Sequence, residues 1–159
     1  MENAAAKGSC RRRALAASLF PNRRRIVMKK SQSRPWDFLA EYKGSFFSGE
    51  WPTLPELFRI TAHRHPERNC FTIFEPERNT LTYAQALDRI AYTARHLQSL
   101  GIGAGEKVAV SGSNGPEWTV AYLAVLFTGA VVVPIDYQLR SEEIANLLRA
   151  SGAKTLFID

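Results

Sequence analysis

The sequence lacks the features that would place it in several large protein classes. It holds two cysteines, Cys10 and Cys70, far apart and without a Cys-x-x-Cys pair. That excludes a disulfide framework and a cysteine zinc site, and fits a reducing compartment. No apolar run approaches the ~18 residues of a membrane-spanning helix. The three histidines make no metal pattern. His63 and His65 are two apart on a helical stretch and point to different sides, and His96 reads as a solvated side chain. No Gly-x4-Gly-Lys-Ser/Thr run is present, which excludes a P-loop within these residues. No Ser, Cys or Lys stands in a recognisable activating setting, and no tandem repeat appears.

Acidic residues are nearly absent from the first 34 positions, which hold ten Lys/Arg and only Glu2. The remaining residues hold eleven Lys/Arg against fourteen Asp/Glu. The net charge of +6 therefore belongs to a basic tail on an acidic body. Basic arms can bind nucleic acid, but aromatics do not alternate with these arginines as a base-stacking surface requires. Ala14 to Phe20 is a short apolar stretch behind an arginine cluster, the outline of a minimal secretory h-region, and the acid-poor, arginine-rich composition also fits an organelle transit peptide. A third reading takes Met28-Lys29-Lys30-Ser31 as an ordinary start and residues 1–27 as over-extension. Residues 1–34 are set aside from the fold on any of the three.

Residues 35–53 mix aromatics with Gly, Ser and Pro and show no period. They read as an ordered lead-in that lays Trp36, Phe38, Phe46, Phe47 and Trp51 on another surface. Leu54, Leu57, Phe58 and Thr61 recur at helical spacing, and that helix should end before Pro66. Cys70 to Phe74 reads as a strand, with Asn79 to Leu81 pairing as a hairpin. Thr82 and Gln85 have capping-box spacing, followed by a stripe of Leu87, Ile90, Ala91, Ala94 and Leu97, stopped by Gly101. Lys107–Ser111 is a strand. Pro116 opens a helix over about 116–128 that is apolar nearly all round, hence buried on several sides. Val131–Ile135 is a strand without polar alternation, as expected when both faces are covered. Ser141 is expected to cap the next helix, with Glu142 and Glu143 in its first turn and Ile144, Leu147 and Leu148 facing inward. Gly152 ends it, and Thr155–Ile158 is a strand. The alternation predicts an α/β fold: a parallel sheet with helices on both faces.

Two glycine clusters invite a phosphate reading. Gly101-Ile102-Gly103-Ala104-Gly105 follows a helix and precedes a strand, the reverse of a dinucleotide fingerprint, and reads as a helix stop. Ser111-Gly112-Ser113-Asn114-Gly115 lies between strand and helix, where ligands bind in open α/β sheets, but lacks the third glycine and the lysine of a phosphate cradle.

Leu81-Thr82-Tyr83, then Asn114-Gly115-Pro116-Glu117-Trp118, then Gly129-Ala130-Val131-Val132-Val133-Pro134-Ile135-Asp136, in this order, resemble the N-terminal region of the adenylate-forming (AMP-binding) ligase superfamily. The likeness starts near Thr53 and is strongest to long-chain fatty acyl-CoA synthetases. It implies residues 54–159 as an incomplete first part of the large N-terminal α/β domain, behind the 35–53 lead-in and the 1–34 tail. For an intact enzyme it implies joining a fatty acid to ATP with release of pyrophosphate, then attack on the acyl-adenylate by the thiol of coenzyme A, with magnesium helping. The phosphate-binding loop, adenine motif, ribose-binding aspartate and catalytic lysine lie further along in such enzymes. No catalytic, cofactor-binding or metal residue is therefore carried onto this chain, and alone it is expected to be inactive. Gly129 and Pro134 are expected to shape a helix-to-strand turn, and Asp136 to cap the loop that follows. The implied partners are the fatty acid and the rest of the ligase or a covering chain, without nucleic acid. The implied setting is cytoplasmic, with peripheral membrane contact natural for fatty substrates. Two other readings stay open: an interaction module derived from such an enzyme, and a nucleic-acid binder acting through the tail.

Overall fold

The computed structural model describes residues 34–158. The readings of the basic tail and of Met28 lie outside the described residues, and the compact unit is Trp36–Asp159.

The aperiodic lead-in contains a 3-10 helix, Asp37–Tyr42. Leu39 and Phe47 are buried against Ile60 of the first α-helix, α1 (Leu54–Arg64). The Arg64 guanidinium stands 3.9 Å from the Phe38 ring centroid, and the His63 ring meets Tyr42 and Phe46 at 6.0 and 5.4 Å. The two tryptophans do not join this packing. Trp36 is 46% and Trp51 57% exposed, and they contact each other edge to face. The expected inward face of α1 is also corrected. Leu54 is exposed, while Ile60 is fully buried and Phe58 packs toward the main core.

α1 begins at a capping box absent from the sequence reading. The Thr53 backbone N–H donates to Glu56 Oε2 at 2.7 Å, and the Glu56 N–H donates back to Thr53 Oγ1 at 3.5 Å. Strand β1 (Asn69–Ile73) pairs antiparallel with β2 (Asn79–Thr82), as expected. Thr82 then caps α2 (Tyr83–Ser99): Gln85 N–H donates to Thr82 Oγ1, and Thr82 N–H donates to Gln85 Oε1. The buried stripe of α2 is Ala86, Ile90, Ala94 and Leu97, with Leu87 and Ala91 half-buried at its edge. Gly101 follows with φ +82°, the left-handed turn that stops the helix.

The remainder alternates strictly: β3 (Lys107–Ser111), α3 (Pro116–Phe127), β4 (Val131–Ile135), α4 (Ser141–Ser151) and β5 (Thr155–Ile158). The sheet is parallel with order β4-β3-β5. The chain steps from β3 to β4 on one side, then crosses back past β3 to β5. With both crossovers right-handed, α3 and α4 lie on opposite faces. α3 packs against α1, α2 and β1, whereas α4 packs against β4. Val108 and Val110 face the α2–α3 layer, Ala109 points the other way, and all three are buried, as the central strand requires.

Three expectations fail around the sheet edges. β4 is an edge strand among the described residues, with Val131 and Pro134 exposed, so its uniform apolarity does not reflect cover on both faces here. Pro134 is well placed, because an edge strand tolerates the missing N–H. α4 buries no residue fully: Ile144 and Leu148 are half-covered and Leu147 is exposed. Its cap position is held by Arg140, whose N–H donates to Glu143 Oε2 at 2.8 Å, so Ser141 is already helical.

Candidate functional site

In an open α/β sheet, ligands bind outside the carboxyl ends of the strands, where neighbouring strands lead their connections in opposite directions. The order β4-β3-β5 puts that point between β3 and β5. A crevice of about 170 Å³ lies there. Its walls include Val110 of β3, Phe157 and Ile158 of β5, Ile73 of β1, and Trp118 and Ala121 of α3. Its polar rim is the Ser111–Gly115 loop with Glu117. Ser111 is a buried polar residue, 3% exposed, at the end of an otherwise apolar strand.

The loop's glycines serve the approach to α3. Gly115 occupies the cap position in extended conformation without a side-chain cap, and Pro116 fills the first turn, where no N–H is needed. The start of α3 borders the crevice through Gly115, Glu117 and Trp118, and a helix start carries free N–H groups and the positive end of the dipole. Glu117 shares this corner: its Oε2 lies 3.5 Å from the place a Cβ on Gly115 would occupy. The helix end is thus complemented by its own carboxylate. No lysine or arginine is among the described residues lining the crevice. Such a site disfavours a polyphosphate and suits an apolar group beside hydroxyls.

A second hollow, of about 410 Å³, opens on the β4 side of Gly112. Trp118 borders both hollows and stacks on Tyr122, 5.2 Å between centroids at 27°. Asp136 follows β4 and accepts the Gln138 N–H at 2.9 Å, capping the loop as its sequence position predicts. Gly129, φ +81°, makes the turn from α3 into β4 and donates its N–H to Leu126 O at 3.1 Å.

The other sequence candidates are not brought together. Among the described residues, no group of three or more His, Cys, Asp or Glu could hold a metal ion. His63 is engaged by aromatic rings, and His65 ends α1. Burial pushes the Cys70 thiol up to about 11, which keeps it protonated at neutral pH, the opposite of an activated thiolate. The Gly101–Gly105 cluster is a turn at the opposite, amino end of β3. Sequence reasoning missed how Ile73, from the antiparallel hairpin, closes one wall of the crevice. No local signal reports a contact made across two sheets.

The strand order and the crevice define an open, parallel α/β fold, with a crevice built from strand ends and a helix start. The comparisons identify which one. Residues 58–159 match the family described as AMP-binding enzyme, and the chain belongs to that family. YngI of Bacillus subtilis (strain 168), assigned by name to the acyl-CoA synthetases, is 36% identical over 107 residues, covering 67% of this chain and 19% of that protein. A chloroplastic long-chain-fatty-acid–[acyl-carrier-protein] ligase of Arabidopsis thaliana is 30% identical over 115 residues, covering 70% of this chain and 16% of that protein. The chain thus spans no more than about a fifth of the length of these relatives. The N-terminal subdomain of Klebsiella oxytoca NpsA, solved with 3-hydroxyanthranilyl-AMSN, superposes with a TM-score of 0.63 at 28% identity, covering 69% of this chain and 27% of that one. Among the described residues no helix is long and apolar enough to cross a membrane.

Proposed function

We propose that this chain supplies the first part of the N-terminal domain of an ATP-dependent long-chain acyl-CoA synthetase. The reaction converts fatty acid, ATP and coenzyme A to acyl-CoA, AMP and pyrophosphate through an acyl-adenylate, with magnesium. The family match over residues 58–159 carries this reading, and the likeness to an acyl-CoA synthetase and a fatty-acid ligase supports it. Within it, residues 54–159 are an incomplete α/β subdomain, 35–53 a lead-in and 1–34 a basic extension. The setting is cytoplasmic, with peripheral membrane contact through the fatty substrate and no role for nucleic acid.

The residues present do not fit the cofactors by themselves. The crevice rim is anionic at Glu117 and lacks lining cations among the described residues, and among those residues no group of three or more His, Cys, Asp or Glu could hold magnesium. We therefore assign no step through ATP or magnesium to these residues, and expect the 159-residue chain alone to be inactive.

Two measurements test this. The purified chain, given ATP, magnesium and fatty acids of several lengths, is expected to show no ATP–pyrophosphate exchange above background. Exchange that tracks the chain would overturn the expectation of inactivity. An immunoblot of the native source with an antibody to α2 is expected to show a band well above 17.8 kDa, and protein purified by that antibody should form acyl-CoA. A single band at 17.8 kDa would instead favour an interaction module whose partner covers the exposed Val131 and Ile158 edges.

A further inference from the structure

We propose that Trp36, Trp51 and Leu54, with the basic segment that precedes them in the sequence, dock this chain on an anionic lipid bilayer surface. This refines the peripheral membrane contact proposed above and rests on it: the chain's own side chains, rather than the fatty substrate, make the contact. The lead-in has two kinds of apolar side chain. Leu39 and Phe47 are buried against Ile60 of α1. Trp36 and Trp51, edge to face at 6.3 Å, are about half exposed, and so is Leu54, which opens α1 three residues after Trp51. Three large apolar residues so near one another in the chain are thus left out of the core of their own unit. An indole has an apolar body and a polar N–H, which suits it to the boundary between acyl chains and water.

A small apolar wedge does not hold a protein on a membrane alone, and stable peripheral binding takes a second signal, such as a polybasic segment. That signal is written in the sequence. Residues 1–34 hold ten Lys/Arg and one acid, with clusters at Arg11–Arg13, Arg23–Arg25 and Lys29-Lys30. This stretch runs into the lead-in through Pro35, immediately before Trp36. Residues 35–54 themselves carry Asp37, Glu41 and Glu50 against Lys43. The electrostatic attraction is therefore assigned to the basic segment and the insertion to the indoles and Leu54. Each Lys or Arg near an anionic leaflet raises affinity roughly five-fold. Leu15, Leu19, Phe20, Ile26 and Val27 stand between the basic clusters. They favour a bilayer over a nucleic acid, which shares the phosphate charge but offers such side chains no apolar phase.

The test uses the full 159-residue chain and vesicles of phosphatidylcholine, with or without phosphatidylglycerol, read by co-sedimentation. We expect binding to the anionic vesicles at least a hundred-fold tighter than to the neutral ones, and weaker at high salt. A version starting at Met28 lacks seven Lys/Arg and Glu2 and should lose at least a hundred-fold in affinity. Trp36→Ala/Trp51→Ala should weaken binding roughly ten-fold, with far-UV circular dichroism showing that it folds. Brominated lipid in the anionic vesicles should quench the parent's tryptophan fluorescence. Trp36→Phe/Trp51→Phe should keep most of the binding and lose most of the quenching, since Trp118 alone remains. Equal binding to neutral and anionic vesicles would overturn the proposal, as would undiminished binding by a folded Trp36→Ala/Trp51→Ala variant. Binding to palmitate-doped vesicles but not to phosphatidylglycerol vesicles would return the contact to the substrate and leave the peripheral setting standing. Tighter binding of single-stranded DNA than of anionic vesicles would overturn it in favour of a nucleic acid. A lipid-free dimer that Trp36→Ala/Trp51→Ala dissolves would assign the pair to a second copy of the chain instead.

Discussion

Replacing Ile90 by alanine removes Cγ1, Cγ2 and Cδ1 from the seam between α2 and α3, where the side chain is fully buried beside Leu97, Ala124 and Val125. At ~0.8 kcal/mol per buried methylene, the lost transfer free energy is about 2.4 kcal/mol. The surrounding helices are held by their own buried stripes and collapse only in part, so a cavity term raises the expected cost to about 3–4 kcal/mol. Urea unfolding followed by far-UV circular dichroism reads this directly. With a slope near 2 kcal/mol per molar, the midpoint should fall by roughly 1.5–2 M. Ile90→Val should cost about 1 kcal/mol, and Leu147→Ala, on the exposed side of α4, under about 0.5 kcal/mol. The ordering Ile90→Ala, Ile90→Val, Leu147→Ala is the content of the prediction. An Ile90→Ala midpoint within about 0.3 M of the parent, at unchanged slope, would refute the packing of α2 on α3.

Thr53→Ala removes the α1 cap and should cost about 1 kcal/mol, read by the same unfolding assay. The backbone and side-chain hydrogen bonds from Thr53 hold the Glu56 carboxyl below its usual 4.5. Its contribution is present above pH 4.5 and lost as the pH falls through the lower folded value, so the gap between parent and Thr53→Ala should narrow in acid without closing, because Thr53 Oγ1 still accepts the Glu56 N–H. For Cys70 the sign is opposite. Its thiol is raised from 9.0 to about 11 by burial, so stability is full below pH 9 and declines as the pH rises toward 11. Iodoacetamide at pH 8 should label Cys70 far more slowly in the native chain than in urea, as read by peptide mass. Equal rates would contradict its burial.

How far the fold was legible depended on whether the information was local. The Thr82/Gln85 box, the Gly101 stop, Pro116 at the start of α3 and the turn at Gly129 are written in adjacent residues, and each stands where it was expected. The Thr53-Leu54-Pro55-Glu56 box is equally local, and its Thr-x-x-Glu spacing carries the signal in adjacent residues. Arg140 as the cap of α4 defies residue preference, since Glu143 reaches its backbone and Ser141 falls one position inside. The order β4-β3-β5 and the exposure of β4 are properties of neighbours, and an apolar strand reads alike whether its neighbour is present or not. The same holds for Trp36 and Trp51: the density of aromatics in the lead-in suggests packing, while their exposure depends on the path of the irregular chain around them. At the site, the Ser111–Gly115 loop could be placed from its position between strand and helix. The carboxylate of Glu117 at the helix start and the wall from Ile73 required coordinates.

The position of β3 between its two partners sets the order in which the sheet can form. Val108 and Lys107 find β4 after one helix has been made, but Val108 meets Thr155 only after two helices and a strand have intervened. Loop closure of that length slows folding. During synthesis the β3–β4 pair therefore waits with one side of its central strand unpaired until β5 leaves the ribosome. Whatever shields that side in the interval governs how much of the chain reaches its folded state.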